Sequence, residues 1–128
     1  SLKKNLYYSI SHTMKFAVLG IGIQKIGVDI ESYRPKILHI KSKFINIKES
    51  YFMKSDDIKV ITRLWTCKEA IYKCIFKNKL SFKTDIILEK FDMREKYGHG
   101  KVYLKGKTIP INLHFSNFDN HQLTMSYL

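Results

Sequence analysis

One long helical pattern, flanked on both sides by segments typical of strands, is the feature that most constrains this fold. Between about residues 55 and 77, apolar side chains recur at helical spacing along one face. Ser55 is a favourable N-cap, and Asp56 and Asp57 would lie in the first turn, where the helix dipole favours acidic groups. Asn78 suits a left-handed residue that ends the helix. The apolar positions are Ile58, Ile61, Leu64, Trp65, Tyr72, Ile75 and Phe76.

The segments on either side of this helix are rich in β-branched and aromatic residues, as strands are. A loose helical period over residues 37–47 predicts short helices before the long one. The order of strands, helices and strands predicts an α+β fold, in which an antiparallel sheet packs against one long helix plus short helices. The predicted strands are 6–11, 15–23, 26–31, 85–89, 100–104, 109–115 and 122–128.

A length of 128 residues suits a single domain over residues 1–128, and a hydrophobic content of 45% excludes a disordered chain. The longest apolar run, 16–23, is far shorter than the ~18 residues of a membrane span. Cys67 and Cys74 lie seven residues apart in the predicted helix, roughly 10 Å along its axis, which is too far for a disulfide. With no secretory signal visible, we expect a reduced, cytoplasmic protein that does not bind a membrane.

The net charge of +12 favours anionic partners, such as nucleic acid, an acidic protein or a phosphorylated cofactor. Lysine supplies most of this charge, whereas direct base recognition depends on arginine, and the lysines form no basic tail. We therefore do not expect nucleic acid to be the partner. An AT-rich codon usage would explain the same lysine content without any functional meaning.

An acidic pair lies in the third predicted strand, in the sequence Gly27-Val28-Asp29-Ile30-Glu31. Because side chains alternate along a strand, Asp29 and Glu31 project from the same face. Two adjacent carboxylates repel each other unless a cation lies between them, and hard oxygen ligands suit Mg²⁺. The alternative is that the pair is a solvated strand end beside a turn.

A second cluster lies in the long helix, over residues 65–73. Glu69 and Lys73 are four residues apart with the acid first, the favourable order for a helical ion pair. Such pairs are commonly surface contacts with little effect, so spacing alone does not establish a site. Trp65 is expected to be a core anchor more than a binding group.

A third cluster, Ser9-Ile10-Ser11-His12-Thr13, lies at the end of the first predicted strand. A histidine in this position is commonly structural or solvated. Hydroxyl, imidazole and backbone N–H groups can also bind a phosphate together.

Taken in order, Ser-x-Ser-His-Thr, Gly-Val-Asp-Ile-Glu and Trp-Thr-x-Lys-Glu-Ala-x-x-Lys resemble the motifs of the 4′-phosphopantetheinyl transferase superfamily. The Asp-x-Glu form and the upstream Ser-His are closer to the surfactin-synthetase-activating type than to the short holo-acyl-carrier-protein synthase type. Arg34-Pro35, the segment 44–49 and Leu80-Ser81-Phe82 extend the resemblance over nearly the whole chain. It implies the fold of this superfamily, in a single half-length domain.

The resemblance also implies an activity and its catalytic residues. The family moves 4′-phosphopantetheine from coenzyme A to a serine of an acyl or peptidyl carrier protein and releases 3′,5′-ADP. Asp29, Glu31 and Glu69 would bind Mg²⁺, with the coenzyme A pyrophosphate completing the coordination. Glu69 would also be the general base, and Lys73 would stabilise the pyrophosphate and the leaving group.

Further implications concern coenzyme A and the partners. Lys68 would help to neutralise phosphate charge, and Ser11 and His12 would contact the 3′-phosphate. The basic surface would attract acyl carrier proteins, which are acidic as a class. Larger relatives place the site between two similar halves, so this chain is expected to form a homo-oligomer, either a dimer or a trimer. The alternative is a truncated, non-catalytic relative that binds coenzyme A or an acidic protein.

Overall fold

The computed structural model describes residues 5–75 and 79–128, which contain seven strands, three helices and two 3₁₀ turns. The strands are β1 (Tyr7–His12), β2 (Ala17–Gly22), β3 (Ile26–Ser32), β4 (Ile86–Leu88), β5 (Tyr97–Leu104), β6 (Lys107–Phe118) and β7 (His121–Tyr127). The helices are α1 (Ile37–Ile40), α2 (Ser50–Met53) and α3 (Ile58–Cys74), with 3₁₀ turns at Lys41–Lys43 and Ile47–Glu49.

The α+β prediction is confirmed at this level, because the structure combines antiparallel sheets with one long helix and a few short ones. The helix begins later than expected, since Asp57 and not Ser55 is its N-cap, with the Asp57 carboxylate accepting from the N–H of Lys59 at 2.9 Å. The last α-helical residue is Cys74. The expected end of the helix at Lys77 and Asn78 lies outside the described residues.

The strands form two sheets, which corrects the expectation of one. β1 and β2 form a hairpin of their own, and the remaining strands form an antiparallel sheet in the order β3-β7-β6-β5-β4. The hairpin lies against the free edge of β3, where the hydroxyls of Ser9 and Ser11 accept hydrogen bonds from the N–H groups of Val28 and Ile30 at 2.9 and 3.1 Å. Side chains thus occupy the edge where a backbone ladder would otherwise extend the sheet.

The core lies between α3 and the five-stranded sheet. Ile61, Leu64 and Ile71 on α3 are fully buried against residues of the sheet such as Ile111 and Leu113. Burial of these apolar side chains removes them from water and stabilises the packing of the helix on the sheet. None of the helices in the described ranges is long and apolar enough to cross a membrane.

Helix and sheet approach each other very closely at Gly27 of β3. A Cβ atom there would collide with the carbonyl oxygen of Ala70 and would lie 2.8 Å from the backbone nitrogen of Cys74. The hydroxyl of Ser126 on β7 donates to the same Ala70 carbonyl at 2.8 Å, so the contact is also hydrogen-bonded. Cys67 and Cys74 are both free and buried, as expected without a disulfide.

We predict that Gly27→Ala lowers the free energy of unfolding by about 1–3 kcal/mol, the usual cost of overpacking a core. The added methyl would collide with helix backbone, which cannot move aside as a side chain can. Urea titration followed by circular dichroism measures the loss. Gly106→Asn is the control, because no atom lies within 4 Å of that Cβ position and Asn tolerates the positive φ of 75°. Equal stability of the Gly27→Ala variant and the wild-type chain would contradict the prediction.

Candidate active site

Asp29, in the middle of β3, is the point where β1, β3 and α3 meet. The residue is only 4% exposed. The hydroxyl of Ser11 on β1 donates to Asp29 Oδ1 at 3.1 Å, and the Lys73 ammonium on α3 lies 3.5 Å from the same oxygen. The other oxygen, Oδ2, is buried and has no hydrogen-bond partner among the described residues. One carboxylate oxygen is therefore available to a ligand.

The electrostatic environment of Asp29 disfavours its charge. Burial, and next the neighbouring Glu31 charge, raise the pKa of Asp29 from 3.8 to about 8, with a further contribution from Glu69. Lys73 and the hydrogen bond from Ser11 act in the opposite direction. Burial and Glu31 also raise the pKa of Glu69, against the lowering effect of Lys73. The three acidic groups thus interact, and a cation among them would relieve their repulsion.

As they stand, these acids do not form a closed metal site. Within the described ranges, no set of three or more His, Cys, Asp and Glu side chains could hold a metal ion. Asp29 is buried, whereas Glu31 and Glu69 are each only half-buried. The structure therefore brings the three predicted ligands into one electrostatic neighbourhood without arranging them around a common point.

Lys73 connects three elements. Besides Asp29, its ammonium donates to the carbonyl of Val28 on β3 at 2.9 Å and to that of Ile10 on β1 at 3.2 Å. Its ion pair is with Asp29 and not with Glu69, the partner that helical spacing suggested. With about a third of its side chain exposed, Lys73 remains within reach of a ligand from outside.

Glu31 has a partner that spacing did not indicate. The indole N–H of Trp65 on α3 donates to Glu31 Oε1 at 3.3 Å. Trp65 also packs against the core, as expected, with its ring 4.9 Å from that of Phe44. Trp65 therefore combines a packing role with a polar contact to a predicted metal ligand.

Ser11 and His12 lie on opposite faces of β1, because adjacent side chains alternate along a strand. Ser11 is buried against β3, where its hydroxyl contacts both Asp29 and the N–H of Ile30. His12 is exposed on the other face of the hairpin. The Ser11 hydroxyl is thus already hydrogen-bonded within the fold, and contact of Ser11 and His12 with one phosphate stays a prediction.

Lys68, which was expected to help neutralise phosphate charge, makes its contacts away from this cluster. Its side chain has no exposed surface. Its ammonium donates to Glu49 Oε1 and to the carbonyls of Phe82 and Ile86, each at 2.7 Å. All three N–H groups are used, so none remains for a ligand.

A cavity of about 680 Å³ opens beside Lys73. It lies between β1, the start of β3 and the end of α3, and combines apolar walls with two ammonium groups, those of Lys25 and Lys73. Its size is within the range of small-molecule sites. Its lining residues are Leu6, Tyr7, Tyr8, Ser9, Ile10, Lys25, Ile26, Lys73 and Cys74.

Sequence reasoning missed the contact of Ser9 with β3 and the ion pair of Glu49. Ser9 repeats the edge contact of Ser11 two residues earlier, so the alternation of strand side chains could have indicated it. Glu49 forms a capping box with Asn46, which the spacing Asn-x-x-Glu does signal. Nothing in the spacing indicates that Glu49 also pairs with Lys68, because that contact spans 19 residues of chain.

Comparison with protein-family models matched residues 25–127 to a family described as the 4′-phosphopantetheinyl transferase superfamily. The matched range contains β3 and α3, with Asp29, Glu31, Glu69 and Lys73, and omits the β1–β2 hairpin. A search of curated proteins found no match.

We predict that, in the presence of EDTA, the free energy of unfolding falls as the pH rises from about 4 to about 8. The folded chain holds protons on Asp29 and Glu69 that the unfolded chain releases, so the slope is negative. Each group contributes at most about 1.4 kcal/mol per pH unit. Asp29→Asn should flatten this dependence, as measured by urea titrations across the pH range. Asp56→Asn, at an exposed carboxylate, should not, and a slope unchanged in Asp29→Asn would contradict the assignment.

Proposed function

Because this chain belongs to the 4′-phosphopantetheinyl transferase superfamily, we propose that it transfers 4′-phosphopantetheine from coenzyme A to a serine of an acyl or peptidyl carrier protein. The reaction would depend on Mg²⁺ and release 3′,5′-ADP. Within the superfamily we assign the chain to the surfactin-synthetase-activating type, on the Asp29-x-Glu31 pattern and the upstream Ser11-His12.

The observation that carries the proposal is the buried Oδ2 of Asp29, which has no partner in the part of the chain that the structure describes. Two further acids interact with this carboxyl group electrostatically, and a lysine contacts its other oxygen. This donor set fits a hard divalent cation, because carboxylate oxygens are the ligands that Mg²⁺ prefers. Asp29, Glu31 and Glu69 would hold the ion, and the half-buried Glu31 and Glu69 would have to turn toward Asp29 to do so. When bound, Mg²⁺ would neutralise charge on the pyrophosphate of coenzyme A.

Glu69 is the proposed general base. Its raised pKa makes its carboxylate a stronger base than an exposed one, which suits removal of a proton from a serine hydroxyl. The serine oxygen would form a bond to the phosphorus that bears the pantetheine, and the bond from that phosphorus to the bridging oxygen would break. The bridging oxygen would leave as part of 3′,5′-ADP, and the serine proton would remain on Glu69.

Lys73 is the proposed electrostatic partner of the leaving group. An ammonium that contacts Asp29 at 3.5 Å can turn to a phosphate while it keeps its shorter bond to the Val28 carbonyl. Ser11 would act by holding Asp29 Oδ1, and the exposed His12 remains free to contact a phosphate of coenzyme A. The cavity beside Lys73, with its apolar walls and the second ammonium of Lys25, would accept part of coenzyme A.

The proposed partners follow from charge. A net charge of +12 attracts acidic proteins at long range, and carrier proteins are acidic as a class. Electrostatic attraction of this kind raises the rate of encounter more than it raises affinity.

We also propose that a second copy of this chain covers the outer face of the β1–β2 hairpin. Tyr8 lies opposite Ile21 and Ile10 opposite Leu19, and these four side chains are 56–72% exposed. A contiguous apolar face of this kind is typical of an interface. Lys73 contacts the backbone of Ile10, so the proposed interface adjoins the candidate site.

We predict that the wild-type chain self-associates and that Leu19→Lys shifts it to the monomer, because a charge would be buried in the interface. Analytical ultracentrifugation measures the shift. Ile47→Lys adds the same charge at a position that is 86% exposed elsewhere, and should leave the association unchanged. A wild-type chain that is monomeric at all concentrations would overturn the interface.

We predict that the protein, with coenzyme A and Mg²⁺, adds phosphopantetheine to an apo-carrier protein, measured as a gain in carrier mass. Glu69→Gln should lower the rate by about 10²–10⁴-fold, the usual contribution of a general base. The exposed Glu89→Gln is the control and should retain the rate. Full activity of Glu69→Gln would exclude it as the base. Binding of coenzyme A without transfer to any carrier in a broad panel would instead favour the non-catalytic alternative.

A further inference from the structure

The ion pair between Lys68 and Glu49 is completely buried, with both side chains at 0% exposure. The Lys68 ammonium makes three hydrogen bonds of 2.7 Å, to Glu49 and to the carbonyls of Phe82 and Ile86. Glu49 also accepts from the N–H of Asn46 at 2.9 Å and from that of Leu88 at 2.7 Å. Every charged atom of the pair is thus hydrogen-bonded, which excludes direct contact with a ligand.

The pair connects α3 to the open edge of the large sheet. β4 is the last strand of that sheet, so its outer edge has no neighbouring strand among the described residues. Glu49 accepts from the N–H of Leu88 and Lys68 donates to the carbonyl of Ile86 on this edge, as a neighbouring strand would. Buried ion pairs contribute little net stability compared with apolar residues, so a pair of this kind is better explained by what it positions.

One group that it positions is Phe82. Lys68 holds the carbonyl of Phe82, in the segment between α3 and β4. The Phe82 ring in turn lies 5.5 Å from the ring of Trp65 and 5.1 Å from that of Tyr72. Both aromatic residues belong to α3, so Phe82 packs against the helix that carries Lys68.

Trp65 carries the connection to the candidate site. Its ring contacts the rings of Phe44 and Phe82, and its indole N–H donates to Glu31 Oε1 at 3.3 Å. A side chain with two ring contacts has few alternative rotamers, and its single donor is directed at one carboxylate oxygen.

We propose that Lys68 and Glu49 are positioning residues, which hold the Glu31 carboxylate through Phe82 and Trp65. The metal-binding role of Glu31 rests on the proposed function, whereas the path from Lys68 to Glu31 rests on the contacts alone. Hydrogen-bond partners of metal ligands commonly change metal affinity by about 10–100-fold when removed. Under this proposal, Lys68 affects the position of the metal ligand Glu31 and does not bind phosphate.

Trp65 is the single tryptophan of the chain, so its fluorescence reports on this path without any assay of activity. Phe82→Leu removes the ring contact but leaves the backbone carbonyl that Lys68 holds. We expect this variant to change the emission of Trp65 at temperatures well below unfolding, as Glu31→Gln also should. Phe91→Leu is the matched control, because Phe91 is a buried ring that stacks on Phe52 and Phe115.

Binding of Mn²⁺ alone, followed by electron paramagnetic resonance, is the second measurement. Phe82→Leu and Trp65→Phe, which keeps a ring but lacks the N–H, should each weaken Mn²⁺ binding by about 10–100-fold. Phe91→Leu should lower the stability of the protein but change neither the Trp65 emission nor the Mn²⁺ affinity. If Lys68→Met folds, it should change the Trp65 emission and weaken Mn²⁺ binding as Phe82→Leu does. If it does not fold, Phe82→Leu and Trp65→Phe still test the path.

Wild-type emission and Mn²⁺ affinity in Phe82→Leu would overturn the path. So would a folded Lys68→Met that loses affinity for 3′,5′-ADP while its Trp65 emission stays unchanged, since that result would assign Lys68 to phosphate. If the wild-type chain binds no Mn²⁺, the metal-dependent part of the proposed function fails. The emission of Trp65 then still decides whether Lys68 and Glu31 are connected.

Discussion

The contact between α3 and β3 at Gly27 is the constraint on which the candidate site depends. No side chain other than hydrogen fits between β3 and the Ala70 carbonyl, so helix and strand approach as closely as their backbones allow. This distance brings Lys73, one turn beyond Glu69, within 3.5 Å of Asp29. A strand and helix separated by ordinary side chains would place these groups beyond each other's reach. The glycine before the acidic pair therefore serves the same site as the acids that follow it.

Much of the fold could be predicted because local patterns determine local elements. The strong alternation around Asp29 and the helical period after Ile58 correspond to β3 and α3, and each predicted strand has a counterpart. The division into two sheets could not be predicted, because it depends on hydroxyls of β1 that replace a backbone ladder 19 residues away. Hydrogen bonds between residues so far apart in the sequence cannot be predicted from the spacing of residues along either strand.

The candidate site could likewise be predicted only in part. The prediction grouped Asp29, Glu31 and Glu69 correctly as neighbours, since strand alternation and helix periodicity fix the faces on which they lie. It did not anticipate the burial of Lys68, because a lysine beside Glu69 is indistinguishable by spacing from one that faces a ligand. Only burial separates the two cases, and burial here depends on Glu49, a partner from a different segment. For Ser11 and His12, the alternation rule that was applied to Asp29 would have separated them as well.

The attachment of the β1–β2 hairpin through side chains has a consequence for the internal motions of the chain. In the described residues, no backbone ladder joins β1 to β3, and serine hydroxyls hold the amide protons of Val28 and Ile30. Proteins open locally in cooperative units whose free energies are lower than that of global unfolding. We expect the hairpin to be such a unit. The amides of Val28 and Ile30 should then exchange with solvent when the hairpin detaches, whereas the amides of β3 that pair with β7 should exchange only when the large sheet opens. Detachment would also remove the Ser11 hydroxyl from Asp29 Oδ1, so the environment of this carboxyl group is coupled to the equilibrium of the hairpin.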